Sequence, residues 1–172
     1  MPPQADLSQH PGLARVNEAF VRVVAECRAS TDEDWYTGWM GNAWVNFRRG
    51  SAKGLCYHWQ SVVFDRVKPV AQQVGLDATG LSVHTGTGLE HHVVIVFDPT
   101  RIAHDDLLTA PPPRAAFVLD AWRRGRPDLF DLDRWLERDA ELTETGVLET
   151  PEPWPPAETE VRKEGRSGLP YE

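Results

Sequence analysis

Apolar residues recur at helical spacing from Leu13 onward, with Leu13, Val16, Phe20, Val23, Val24 and Cys27 on one stripe. Pro11 and Gly12 stand just before it, so the pattern predicts a first helix, with Cys27 as a buried core thiol. A second helix is expected from Ser30 or Thr31, where "STDED" supplies a cap and early acids. It would carry Trp35, Trp39 and Trp44 until "RRGSAKG" breaks it. A third helix starts at or just before Cys56 and sets Cys56, Trp59, Val63, Val67, Val70 and Val74 on one face. Pro69 lacks an N–H and crowds the preceding turn, which predicts a kink or split; Gly75 marks the end.

The period then shortens. "LSVHT" reads as a strand, "GTG" as a turn, and "HHVVIVF" as a strand rich in β-branched residues, closed by "DPTR". A linker follows, with a short helix at "HDDLL" and then "APPPR". "AAFVLD" is a third strand, "RRGRP" a loop, and "DLDRWLERDAEL" a short helix capped by Asp131 or Asp133. Residues 1–11 hold Pro2, Pro3 and Pro11 and read as a loose lead. Residues 12–142 read as one domain. Residues 143–172 are polar and Pro-rich, and read as an extended tail with Trp154 as an anchor. The expected fold class is α+β: N-terminal helices, then a small antiparallel sheet packed on the central helix.

Composition narrows the partners. With 172 residues, 41% of them apolar, the chain can bury a core of its own. A formal charge of -8 argues against nucleic acid or an anionic membrane surface as the main partner. No apolar run approaches the length of a membrane span. The start, "MPPQADLSQHPG", lacks the basic and apolar regions of a signal peptide. The compartment is therefore unassigned: cytoplasmic by default, exported if a signal has been removed. Two cysteines do not make a disulfide framework.

Cys56 sits where loop becomes helix. There the unsatisfied N–H groups and the helix dipole favour a thiolate, which mid-helix Cys27 lacks. A nucleophilic cysteine needs a base, and the base needs an orienting group. Of six histidines, His91 and His92 open the most apolar strand. The two point to opposite faces. His92, next to the unbroken apolar run, is preferred as the base, and His91 is the alternate. Asp98, at the far end of the same strand, lies about 20 Å from His92 at ~3.3 Å per residue. Asp120 ends "AAFVLD", so if that strand runs antiparallel beside "HHVVIVF" the carboxylate meets the histidine.

The segments "KGLCYHWQSVVF", "EHHVVIVF" and "AFVLDAW" together resemble the transglutaminase-like branch of the papain-like cysteine hydrolases, over about residues 30 to 125. In that superfamily a Gly-x-Cys starts the central helix, a His opens a strand, and an Asp precedes a Trp-containing segment. The resemblance implies a Cys56–His92–Asp120 triad and a thioester intermediate formed from an amide of a peptide or protein. Hydrolysis and transamidation remain equally open, and no cofactor is implied. A cell-wall peptide amidase of related type and a catalytically inactive binding module on the same scaffold are the rival readings.

Acyl transfer also needs an oxyanion hole. The backbone N–H of Cys56 is one donor, and Trp44, Asn42 and Asn46 lie in the region that would supply a second. Arg123 and Arg124 would grip a substrate carboxylate, or form with Arg126 a solvated turn paired to Asp128 or Asp131. Cys56, His58, His91 and His92 match no standard zinc spacing, so no metal is expected. "GTGLE" lacks the strand-to-helix context of a phosphate loop.

Overall fold

The computed structural model describes residues 3–31, 35–38, 40, 55–87, 89–109, 111–137 and 144–153. Helix α1, Leu13–Ala29, buries the stripe Leu13, Val16, Phe20, Val23, Val24 and Cys27. Its start crowds the end of the next helix: a Cβ on Gly12 would lie 2.6 Å from Val74 Cγ2, so only glycine fits there. Helix α2, Cys56–Gln73, packs on α1 with one side and on the sheet with the other. Pro69 neither splits nor ends it. That residue is exposed, and Val67 and Ala71 on either side are fully buried, so packing holds the turn that the missing N–H weakens. Gly75, at φ +80, turns the chain out of α2.

Among the described residues the sheet has five strands: β1 Asp77–Val83, β2 His91–Phe97, β3 Ala116–Asp120, β4 Asp128–Asp131 and β5 Val147–Glu149. Their order is β4-β3-β2-β1-β5, and every pairing is antiparallel. Both faces are covered, which explains the unbroken apolar run of β2. Val94 and Val96 face α2 with Ala78, Phe117 and Leu119. Val93, Ile95 and Phe97 face a second core with Leu81, Val118, Phe130 and Trp135. Trp135 belongs to the short helix α3, Leu132–Leu136; Asp131 occupies its cap position without a side-chain cap bond.

Three further expectations change. The lead is not loose: Ala5 N–H donates to Leu129 O at 2.8 Å, and the Gln4 amide bonds both Leu129 N–H and Asp128. The start of the tail is not free: residues 147–149 add β5 to the outer edge of β1, and Pro151 is buried. The expected second helix does not include 35–37, where Trp35 makes an isolated bridge and packs edge-on against Trp59 at 4.6 Å. Trp39, Trp44 and Trp154 lie outside the described residues.

Candidate active site

The antiparallel register of β2 and β3 places Val94 opposite Leu119. Extended past the ladder, it sets Asp120 beside the start of β2, as the sequence argument required. The imidazole that Asp120 meets is His91, not the preferred His92. His91 Nε2 lies 3.0 Å from Asp120 Oδ2, and both residues are 2% exposed. The reason is the pleat. His91 and Asp120 stand on one side of the β2–β3 pair, and His92 on the other, so the choice between neighbours was a choice of face.

Asp120 is fully engaged. Its Oδ1 accepts the backbone N–H groups of Trp122 and Arg123, each at 3.1 Å. Burial alone would raise its pKa, but the attraction and hydrogen bond of His91, with the N–H of Arg123, outweigh it and hold the carboxyl below its ordinary value. An ionised carboxylate only accepts, so the proton between the pair belongs to His91 Nε2. In the neutral tautomer with its proton on Nε2, Nδ1 carries the lone pair. That atom is buried and has no hydrogen-bond partner among the described residues. The Trp122 ring packs on the imidazole with centroids 5.1 Å apart, and fixes its plane.

Cys56 begins α2 as expected and is 4% exposed. Its Sγ rests 3.9 Å from Glu90 O, on the residue before His91, and also takes the backbone N–H of His92. Neither imidazole holds the sulfur, since His91 Nδ1 has no partner and both His92 nitrogens face carboxylates. The expected resting thiolate is absent. Burial pushes the thiol up to about 11, against the weaker opposing pull of the N–H groups of His92, Tyr57 and Cys56. Desolvation of the whole sulfur outweighs the partial charges at one helix end.

His92 belongs to a different cluster. Its Nε2 lies 2.7 Å from Glu90 Oε1, and its Nδ1 lies 3.3 Å from Glu149 Oε1 and 3.0 Å from Ser82 Oγ. Ser82 also donates to Glu149, and the buried amide of Gln60, which donates to Leu81 O at 3.3 Å and Val93 O at 3.0 Å, helps lower the Glu149 pKa. Glu149 is held down to about 2, chiefly by its hydrogen bond to His92. None of this was foreseen. Gln60 and Ser82 were the available signals, polar residues at positions that helix and strand periodicity assign to the interior; Glu149 was hidden in a segment read as tail.

Arg124 is committed elsewhere. Its Nε and Nη2 grip Asp128 at 2.6 and 2.5 Å, with Arg126 Nε adding a contact at 3.2 Å, so the turn pairs with Asp128 as the alternative reading had it. Arg123 is half-exposed, with its Nε 3.7 Å from Asp120 Oδ2. Asn42, Trp44 and Asn46 lie outside the described residues. A cleft of about 400 Å³, lined by residues such as Arg101, Ile102 and Asp106, lies beyond the opposite end of β2 and shares no residue with this site. No protein-family model, curated protein or solved structure matches the chain.

Proposed function

We propose that the chain is a thiol-dependent acyl-transfer enzyme of the papain-like, transglutaminase-like kind, acting on an amide of a peptide or protein. Cys56 is the nucleophile, His91 the base in place of His92, and Asp120 the orienting carboxylate. One observation carries the reading: a buried imidazole locked by a buried carboxylate on one nitrogen, with the other nitrogen unused by any group among the described residues. A structural histidine gains nothing from an unpaired buried acceptor, which costs about 1–3 kcal/mol. A catalytic base needs one.

The thiol is neutral at rest, so its proton leaves as the sulfur attacks. In that step Sγ–H gives its proton to His91 Nδ1, the S–C bond forms, and the carbonyl π-pair moves to oxygen. The N–H groups at the start of α2 face that developing charge. The imidazolium, stabilised by Asp120, then protonates the departing amine as the C–N bond breaks, leaving a thioester. Water or an amine attacks the thioester through the same base in reverse. Strand alternation turns His91 to the Val83 and Val93 face of β2, away from α2. The step therefore requires Sγ, which already touches the backbone of residues 90 and 92, to meet Nδ1 around the head of β2 on substrate binding.

A second reading, a binding module with an inert thiol, is favoured by the burial of Cys56 and its raised pKa. Acylation by p-nitrophenyl acetate separates the two. The expected outcome is nitrophenolate release with an acetyl thioester mapped to Cys56, lost in Cys56→Ala and in His91→Ala and kept in Cys27→Ala. Acylation that ignores His91, or that falls equally on Cys27, supports the inert module.

A further inference from the structure

The cluster around His92 takes no part in the acyl transfer above, yet it surrounds the backbone that touches the thiol. Cys56 Sγ contacts Glu90 O and the N–H of His92, the residues on either side of the proposed base. The side chains of those same two residues are bonded to each other at 2.7 Å. Glu149, from β5, closes on the other ring nitrogen of His92 at 3.3 Å and is steadied by the Ser82 hydroxyl. The close fit is built into β1. A Cβ on Gly80 would meet Gln60 Nε2 and Pro151 Cγ at 2.8 Å and Glu149 Cγ at 3.0 Å, so a glycine is needed for β5 to seat.

We propose that Glu90, His92 and Glu149 form a proton-dependent clamp through which strand β5 holds the backbone of residues 90–92 against Cys56, which makes Glu149 a positioning residue for the thiol. The clamp stands on its own geometry; only its consequence for catalysis rests on the reading of Cys56 as nucleophile. Its chemistry is that of one imidazolium between two carboxylates. With both ring nitrogens protonated, each faces an acceptor. Loss of one proton turns a lone pair toward a carboxylate oxygen and leaves Glu90 and Glu149 repelling each other unscreened.

The groups facing His92 are Glu90 from the turn before β2, Glu149 from β5, Ser82 from β1, and the Tyr57 ring at 6.2 Å from α2, with Cys56 beside Tyr57. Burial lowers the His92 pKa, but Glu149 and Glu90 outweigh it and raise it above 6.5. The contribution of His92 is therefore whole below pH 6.5 and is lost as pH rises through the raised value. That of Glu149 is whole above pH 4.5 and is lost as pH falls toward about 2. The clamp is tightest between these limits.

The test uses the full chain. NMR titration of the histidines should put the His92 midpoint above 6.5 in the wild type and move it acidward in Glu149→Gln. Exchange of those β5 amides that donate to β1, corrected for intrinsic base catalysis, should quicken several-fold as His92 deprotonates, and should be fast at all pH in the variant. Glu90→Gln, outside the sheet, should move the same midpoint if Glu149→Gln folds poorly. Acylation of Cys56 should fall several-fold in Glu149→Gln and hold in the exposed Glu152→Gln. A His92 midpoint at or below its ordinary value, or β5 protection independent of pH, overturns the clamp. Unchanged acylation in Glu149→Gln with the midpoint moved overturns the positioning role. A wild type that is not acylated at Cys56 fails the nucleophile reading and leaves the clamp judged by NMR alone.

Discussion

Asp120→Asn tests the site at its most determined point. The asparagine oxygen can keep the two backbone bonds from Trp122 and Arg123, which face Oδ1. The amide nitrogen then replaces Oδ2, 3.0 Å from His91 Nε2. That nitrogen donates, so Nε2 must accept, and the ring proton moves to Nδ1. The lone pair proposed as the base disappears without a change of shape. By comparison with tautomer loss in other hydrolytic triads, acylation of Cys56 should fall by about 10³–10⁴-fold. Stability should fall far less. A hydrogen bond to a charged group contributes about 1.5–3 kcal/mol, and here a neutral one replaces it, leaving a loss of about 1–2 kcal/mol. At about 2–4 °C per kcal/mol for a chain of this size, the midpoint should drop by about 2–8 °C. Two measurements check the reasoning: nitrophenolate release, and ¹⁵N chemical shifts of the His91 ring, which should report Nε2–H in the wild type and Nδ1–H in the variant. A variant that keeps the Nε2 proton, or acylates at the wild-type rate, refutes it.

Thiolate absorbance should place the Cys56 midpoint near about 11 in the folded chain; a midpoint below 9.0 would mean that burial does not dominate there. Asp131, whose Oδ1 is buried without a hydrogen-bond partner among the described residues, has its pKa raised by burial and by Asp133. A raised carboxyl costs stability once pH exceeds its unfolded value, so Asp131→Asn should raise Tm at neutral pH and lose that advantage below pH 3.8, as thermal melts across pH would show.

Long apolar periods were legible because each encodes one interface. The α1 stripe, the start of α2 at Cys56 and the strands ending at Phe97 and Asp120 all follow from spacing alone. The meeting of Asp120 with the head of β2 followed from antiparallel pairing. Whether His91 or His92 receives it did not, because a doublet offers one residue to each face and both faces of β2 are covered. β4 and β5 were missed for a different reason. With four and three residues, they are too short to show a period, and they exist because a neighbour's edge supplies their hydrogen bonds. Pro69 does not divide α2, because local propensity yields to the packing of the residues around it. The thiol misled because a helix end is visible in sequence and burial is not.

The strap of Gln4 and Ala5 along β4 has a consequence for behaviour at high concentration. An outermost strand offers unpaired N–H and C=O groups that can template the addition of another chain. β4 is one outermost strand, and the N-terminal residues bond to its Leu129 through both N–H and C=O. At the opposite margin stands β5, only three residues long and followed closely by buried Pro151. Segments that composition alone would mark as dispensable thus stand at both margins of the sheet. Trimming the lead for convenience of expression would uncover β4 and favour self-association of a chain that is otherwise kept apart by its acidic charge.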